Sequence, residues 1–244
     1  MIMRQEIRDN SLRERIIDLH IRLMSVDLFG KEAVCNEFLE LIEGIEEEKK
    51  EAKAELYTIV VPHLIDLNKK EKVSHIVDYL LQQNDYHFHL NALYAKPELA
   101  KRANDWKEYV NLFQEGLIIA EENHDTIALY QGYVMKAKGL MRLSRFQEAL
   151  EDLNLAIPLA ESFKDFKLVA VAKYYIGTTL WKMGHTELAL EKFREASDLA
   201  YEQKCSDIIK HTEVARALYL LKNDQAKAAE GLLETWYREF ELML

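Results

Sequence analysis

Glycine, proline and cysteine are all scarce in this 244-residue chain, at 8, 3 and 2 residues. So little glycine argues against a strand-rich domain with many tight turns. The two cysteines, Cys35 and Cys205, lie far apart with no His or Cys beside them at ligand spacing. That excludes a disulfide framework and a cysteine zinc site, and it suits a reducing, cytoplasmic setting. Long apolar runs are missing too. The longest, about Leu56 to Val61, ends at Pro62, far short of the ~20 residues of a membrane span. The amino end reaches acid at Glu6 with no apolar stretch behind it, so no signal peptide is read there. Basic charge is in deficit, with 32 Lys and Arg against 42 Asp and Glu, a net charge of -10 and a pI near 5.4. Such a balance disfavours polyphosphate binding and predicts no direct nucleic-acid contact; cationic or neutral partners fit better. What is present is 49% hydrophobic and 30% charged residues, too apolar for disorder. A compact helical chain follows.

Internal similarity supplies the architecture. Setting Ala149 on Ala189 aligns Phe146 to Leu150 with the segment from Leu188 to Phe193, an offset of 40 residues, and the same step lands on Ala229. Leu153, Phe193 and Leu233 follow four residues after the anchors, and Ala156 and Ala196 seven after, where Trp236 breaks the third set. Upstream, Ala137, Gly177 and Ala217 stand twelve residues before the anchors, and Leu140, Leu180 and Leu220 nine before. Small residues on two antiparallel helices let the backbones approach closely, so each unit reads as a helical hairpin. Gly177 faces its partner helix at that closest approach. The turns are Leu143 to Arg145, Met183 to His185 and Lys222 to Asp224, with Asp125, Asp165 and Ser206 as candidate N-caps. Weaker matches carry the pattern back through anchors at Tyr109, Val73 and Val34. Six helix pairs then fill residues 1–244 as one repeat domain, degenerate over 1–120 and clearer over 125–244, with no room for a separate catalytic domain.

The pattern resembles the tetratricopeptide superfamily, whose hairpin carries small residues at its eighth, twentieth and twenty-seventh positions and an aromatic at its twenty-fourth. Gly177, Ala189, Phe193 and Ala196 match outright, and Ala137, Ala149 and Ala156 match the small positions. The departures are clear. The usual fourth-position Trp is Tyr133, Lys173 or Glu213, and the closing Pro is Glu161, Tyr201 or Glu241. The period is 40 residues, against the norm of about 34, so each helix is longer by almost a turn. Long, degenerate repeats of this kind resemble those of the Gram-positive peptide-pheromone receptors, the Rap, Rgg and PlcR-type regulators, and the phage arbitrium receptors. The resemblance implies an all-α, right-handed superhelix of about twelve helices, with extended peptides bound on the concave face lined by the first helix of each pair.

Carrying the superfamily's groove positions onto this sequence gives Gln131, Val134, Lys138, Met141 and Arg142 in the fourth unit. The fifth gives Val171, Tyr174, Thr178, Trp181 and Lys182, and the sixth His211, Val214, Leu218, Leu221 and Lys222. Tyr94, Glu98 and Arg102 join from the third unit if Pro97 leaves its register intact. Lys138, Arg142 and Lys182 suit a peptide's carboxyl end or acidic side chains, while Tyr174 and Trp181 offer flat apolar contacts. The alternative is an ordinary solvated or inter-repeat face.

Pro62 and Pro97 fall inside helical patterns, where a proline costs about 3 kcal/mol. A kink or break is expected at Pro62, and Pro97 is placed in the first turn of a helix starting near Lys96, which leaves Asn84 to His89 in an irregular connection. His87 and His89, near Asp85, invite a metal reading, but on a helix the two point about 200° apart, and no metal or other cofactor is assigned. His63 and His75 read as partly exposed helix residues and His185 as a turn residue. No nucleophile elbow, phosphate loop or cysteine-base pair is present, so no enzymatic activity is read. The acidic run from Glu46 to Glu51 reads as a solvated helix end. Arg4, Arg8, Arg13, Arg15 and Arg22 precede or enter a first amphipathic helix, roughly Leu12 to Phe29, either as a linker-helix face or as surface charge.

At the carboxyl end, Leu232, Leu233, Trp236, Tyr237, Phe240, Leu242, Met243 and Leu244 put large apolar groups on the last helix of the array, which predicts a homodimer through that helix. The alternative is that they fold back onto units five and six. Three classes of function remain open: a sensor of a short signalling peptide, as a receptor or as the sensor part of a transcriptional regulator; a non-sensing scaffold that holds a partner protein; and, last, an enzyme or a lipid-binding helical domain.

Overall fold

A computed structural model describes residues 10–46 and 49–241. The helices, in chain order, are α1 (Asn10–Ser25), α2 (Leu28–Glu43), α3 (Lys50–Asp66), α4 (Lys70–Leu81), α5 (Tyr86–Arg102), α6 (Trp106–Glu122), α7 (Thr126–Arg142), α8 (Phe146–Ser162), α9 (Phe166–Lys182), α10 (Thr186–Glu202), α11 (Ser206–Lys222) and α12 (Ala226–Glu241). There is no strand among the described residues. The chain divides into two compact units, Met1–Asn123 and His124–Leu244, and within each unit consecutive helices pack on one another.

The repeat arithmetic comes from the turns. From α5 to α11 every helix has 17 residues, and each is followed by a three-residue turn whose middle residue has positive φ. These middle residues are Asn104, His124, Ser144, Lys164, Gly184, Lys204 and Asp224. Each places the chain in the left-handed region that lets a helix end on itself. At the end of α7, for instance, Arg145 N–H donates to Leu140 O at 2.9 Å and Ser144 N–H to Met141 O at 3.3 Å. The same pair of bonds recurs at α9 and α11, satisfying carbonyls a helix end otherwise leaves bare. The 36-residue step between Val73 and Tyr109 has its cause in α4, which has only 12 residues.

The anchors sit where close packing needs them. Val73, Tyr109, Ala149, Ala189 and Ala229 are each the fourth residue of an even-numbered helix, and all are 3% exposed or less. Ala137 and Ala217, on the facing helices α7 and α11, are equally buried.

Several expectations are corrected. Helix α3 runs without a break through Pro62 and α5 through Pro97, and Pro158 lies inside α8 as well. The burial of Ala54, Leu56, Tyr57, Val60, Leu64 and Ile65 along α3, for example, outweighs one missing hydrogen bond. Residues Tyr86 to His89 are the first turn of α5, capped by Asp85, whose carboxylate accepts from His87 N–H at 2.9 Å. His89 Nε2 lies 2.6 Å from Gln83 O. The first helix ends at Ser25, because Asp27 caps a new helix by accepting from Gly30 N–H. Asp125 and Asp165 cap α7 and α9 as expected, but the residue before α11 is Cys205, which makes no side-chain cap bond, and Ser206 is already helical. The last turn is Asn223 to Gln225. The acidic run leads into a helix end: Lys50 and Glu51 open α3, Lys49 and Glu46 pair at 3.2 Å just before it, and Glu47 and Glu48 lie outside the described residues, as do Arg4 and Arg8.

Candidate functional site

Within the second unit, α9 and α11 lie side by side and build a ledge of rings. Tyr174 on α9 and His211 on α11 have ring centroids 5.7 Å apart. Further along, Trp181 meets Tyr219 edge-on at 6.2 Å, and Lys222 Nζ sits over the Trp181 ring at 5.0 Å. Phe193, buried on α10, backs both Tyr174 and Trp181 at 5.9 and 6.4 Å. Thr178 donates its hydroxyl to Tyr174 O at 3.0 Å. Burial raises the Tyr174 pKa above the usual tyrosine range, so the phenol remains a neutral donor.

Beyond the rings, α11 presents an uncovered apolar stripe. His211, Val214, Leu218 and Leu221 are spaced to share one helix face, and the last three are 41, 51 and 50% exposed. A folded helix buries such a stripe when it has something to pack against.

The structure gathers the sequence-derived residues unequally. Tyr174, Thr178 and His211 form one cluster, and Trp181 forms a second with Tyr219 and Lys222. Lys138 is set apart on α7, with Nζ over the Tyr175 ring at 5.4 Å and 3.6 Å from Met135 Sδ. Gln131, Arg142 and Lys182 are exposed and belong to none of these ring contacts. In the first unit, Tyr94, Glu98 and Arg102 line a cavity of about 300 Å³ between α3 and α5.

The polar pairs between helices were not foreseen. Lys173 and Glu213, which stand where the superfamily carries Trp, are both bonded to α10. Lys173 pairs with Glu195, which also takes Lys192 Nζ at 2.6 Å. Burial pulls the Glu195 carboxyl upward, but its two ammonium partners outweigh that and hold it below the usual range. Glu213, 2% exposed, accepts from Ser197 Oγ at 2.5 Å and from Arg216 at 2.7 and 3.0 Å. Between α7 and α8, Lys136 reaches Asp152 at 2.9 Å, and burial keeps that carboxyl above its usual range despite the lysine.

On α12, Trp236 packs inward against the cluster of Ala170, Ala200 and Ile209, whereas Tyr237 is 57% exposed and Leu233 half-buried. The Phe240 side chain and Leu242, Met243 and Leu244 lie outside the described residues. Among the described residues no group of His, Cys, Asp and Glu is arranged to hold a metal, and no helix is long and apolar enough to cross a membrane.

No family model matches the chain, and no curated protein matches it in sequence. Solved structures do match in fold. The apo form of RapI superposes with a TM-score of 0.75 at 12% identity, covering 95% of this chain and 83% of that one. BtubC (BKLC) from P. vanneervenii gives 0.68 at 13% identity, covering 96% and 93%. Aspartyl phosphate phosphatase F from Bacillus subtilis gives 0.67 at 13% identity, covering 96% and 76%. At such identities the likeness is one of fold: the chain has the all-α, tetratricopeptide-like helical-repeat fold of the Rap proteins.

Proposed function

We propose that the chain is a peptide-binding module that senses a short signalling peptide, as a receptor in its own right or as the sensor part of a transcriptional regulator. The observation that carries this reading is the α9–α11 ledge, where an aromatic and cationic rim borders an uncovered apolar stripe. Rings supply apolar area at little conformational cost, and the lysines and Arg142 supply charge for a carboxyl end or acidic side chains. A Rap protein solved in complex with competence and sporulation factor shares the fold, with a TM-score of 0.56 at 14% identity, which supports a peptide as ligand. The role is regulatory binding without catalysis, in the cytoplasm. Self-association through α12 uses Leu233, Tyr237 and Phe240; Trp236 serves the interior.

The test is native purification from the source cell followed by mass spectrometry of retained peptides. A defined short peptide, released by Trp181→Ala, supports the reading. Retention of an intact protein with no peptide favours the scaffold function instead.

A further inference from the structure

The cavity between α3 and α5, in the first unit, is separate from the α9–α11 ledge and carries its own chemistry. Its floor is Val61, Ile65, Leu80 and Ala95, all 6% exposed or less. Its rim includes the exposed Pro62, Asp66, Asn91 and Arg102. At about 300 Å³ it stands at the low end of ligand sites, the size for one large group.

Two features select the occupant. The first is that the charges at the rim are already compensated. Asp66 lies 3.7 Å from Lys31 Nζ and 3.9 Å from Arg102 Nη2, and Glu98 lies 2.8 Å from Lys101 Nζ. A cationic guest would have to displace these partners. The second is Pro62. It has no N–H, so the carbonyl of Thr58, four residues earlier in α3, lacks its helical donor. Both residues line the cavity. A neutral acceptor is therefore left over beside an apolar floor.

We propose that this pocket takes the indole of a tryptophan carried on a peptide or protein segment, with its ring on the floor and its N–H donated to the Thr58 carbonyl. Tryptophan joins a large apolar body to a neutral donor and brings no acceptor. Leucine or phenylalanine fills the floor but leaves the carbonyl bare, and arginine or lysine adds charge where none is missing. The exposed rim leaves room for the carrier's backbone beside Asn91 and Arg102.

The test uses the full chain with carbon-13 methyl labels and four probes: N-acetyltryptophanamide, its N-methylindole analogue, free tryptophan and N-acetylargininamide. N-Acetyltryptophanamide is expected to move the methyl signals of Val61, Ile65, Leu80 and Ala95. The N-methyl analogue, one hydrogen bond poorer, should bind about five- to tenfold more weakly. Pro62→Ala returns an N–H to position 62 and should bring the two indoles to parity, while Ala95→Leu fills the floor and should abolish both. Equal binding of the two indoles to the wild type, tighter binding of the argininamide, or no shift at about 10 mM probe overturns the proposal. Free tryptophan binding more tightly than the amide overturns the segment-borne form of it.

Discussion

The Phe193 ring occupies the space that a side chain on Gly177 would need. A Cβ at position 177 would lie 2.8 Å from both Cδ1 and Cε1 of that ring and 3.1 Å from Ala189 O. The ring cannot easily yield, because Phe193 is 2% exposed and backed by Tyr174 and Trp181. Gly177→Leu is therefore expected to cost about 1 to 3 kcal/mol, read as a lower Tm in a thermal melt. Gly177→Ala should cost less, and Phe193→Leu should restore part of the loss in the double mutant. An unchanged Tm for Gly177→Leu rejects the close crossing of α9 and α10.

Asp85, Asp125 and Asp165 stand 40 residues apart, and each caps its helix through its carboxylate. The next step in that series is Cys205, which makes no side-chain cap bond. Cys205→Asp is expected to stabilise α11 by about 1 kcal/mol. For a chain of this length that is a rise of about 2 to 4 °C in Tm. A Tm at or below wild type rejects the cap register.

This register also shows what was legible in the sequence. The 40-residue spacing of small residues gave the anchors Ala149, Ala189 and Ala229, because close helix crossings admit few residue types, whereas Tyr109, Val73 and Val34 came from weaker apolar matches. The offset from Asp165 points to position 205, yet the serine at 206 is a stronger local cap signal and drew the assignment one residue late. Turn residues were harder still. Lys164 and Lys204 adopt positive φ in the middle of their turns, where glycine or asparagine is the recognisable signature. Pro97 misplaced the start of α5 because tertiary burial of Phe88, Leu90 and Ala92 overrides a local breaking signal. At the ledge, single helix positions gave Tyr174, Trp181 and His211. Tyr219 escaped, since its role depends on which ring α9 brings opposite it. Lys173 and Glu213 looked like defects in the motif; their partners on α10 are visible only in three dimensions.

The two cysteines should differ sharply in reactivity. Cys35 is fully buried, and burial pushes its thiol up to about 11, only partly offset by the charges of Lys31 and Lys72. Cys205 is partly exposed at the start of α11. Iodoacetamide at about pH 8 should modify Cys205 in the native protein and reach Cys35 only in denaturant, as peptide mass spectrometry would show. Equal labelling of both in the folded state contradicts the packing of α2.

Stability should fall on mild acidification through His63. Burial first, and then the charges of Lys31 and His20, hold its pKa below the ordinary value near 6.5, with Asp66 opposing. Its Nδ1 is buried without a hydrogen-bond partner among the described residues. The folded chain thus favours the neutral ring, while the unfolded chain takes up a proton at the ordinary value. The contribution is complete above that value and is lost as pH falls below it. Tm should stay flat from about pH 8 to 7 and decline below about 6.5, with a shallower decline in His63→Gln. Identical acid limbs for the two proteins would exclude this histidine as the cause.

Ligand recognition on the ledge should separate area from charge. Trp181 is wedged among Phe193, Tyr219 and the Lys222 ammonium, so its part in binding is apolar contact. Arg142 is exposed at the end of α7, so its part is charge. For a bound peptide, Arg142→Ala should weaken affinity by about 1.5 to 3 kcal/mol where the contact is shielded. That loss should shrink as salt rises, since the Debye length falls from about 10 Å at 0.1 M to about 3 Å at 1 M. Trp181→Ala should cost a comparable amount with little dependence on salt. Calorimetric titrations of wild type and both mutants at two salt concentrations decide the matter, with Tm confirming that each mutant is folded. If both folded mutants keep wild-type affinity, the ligand does not lie on this ledge, and contacts elsewhere on the repeats, as in a scaffold, become the better account.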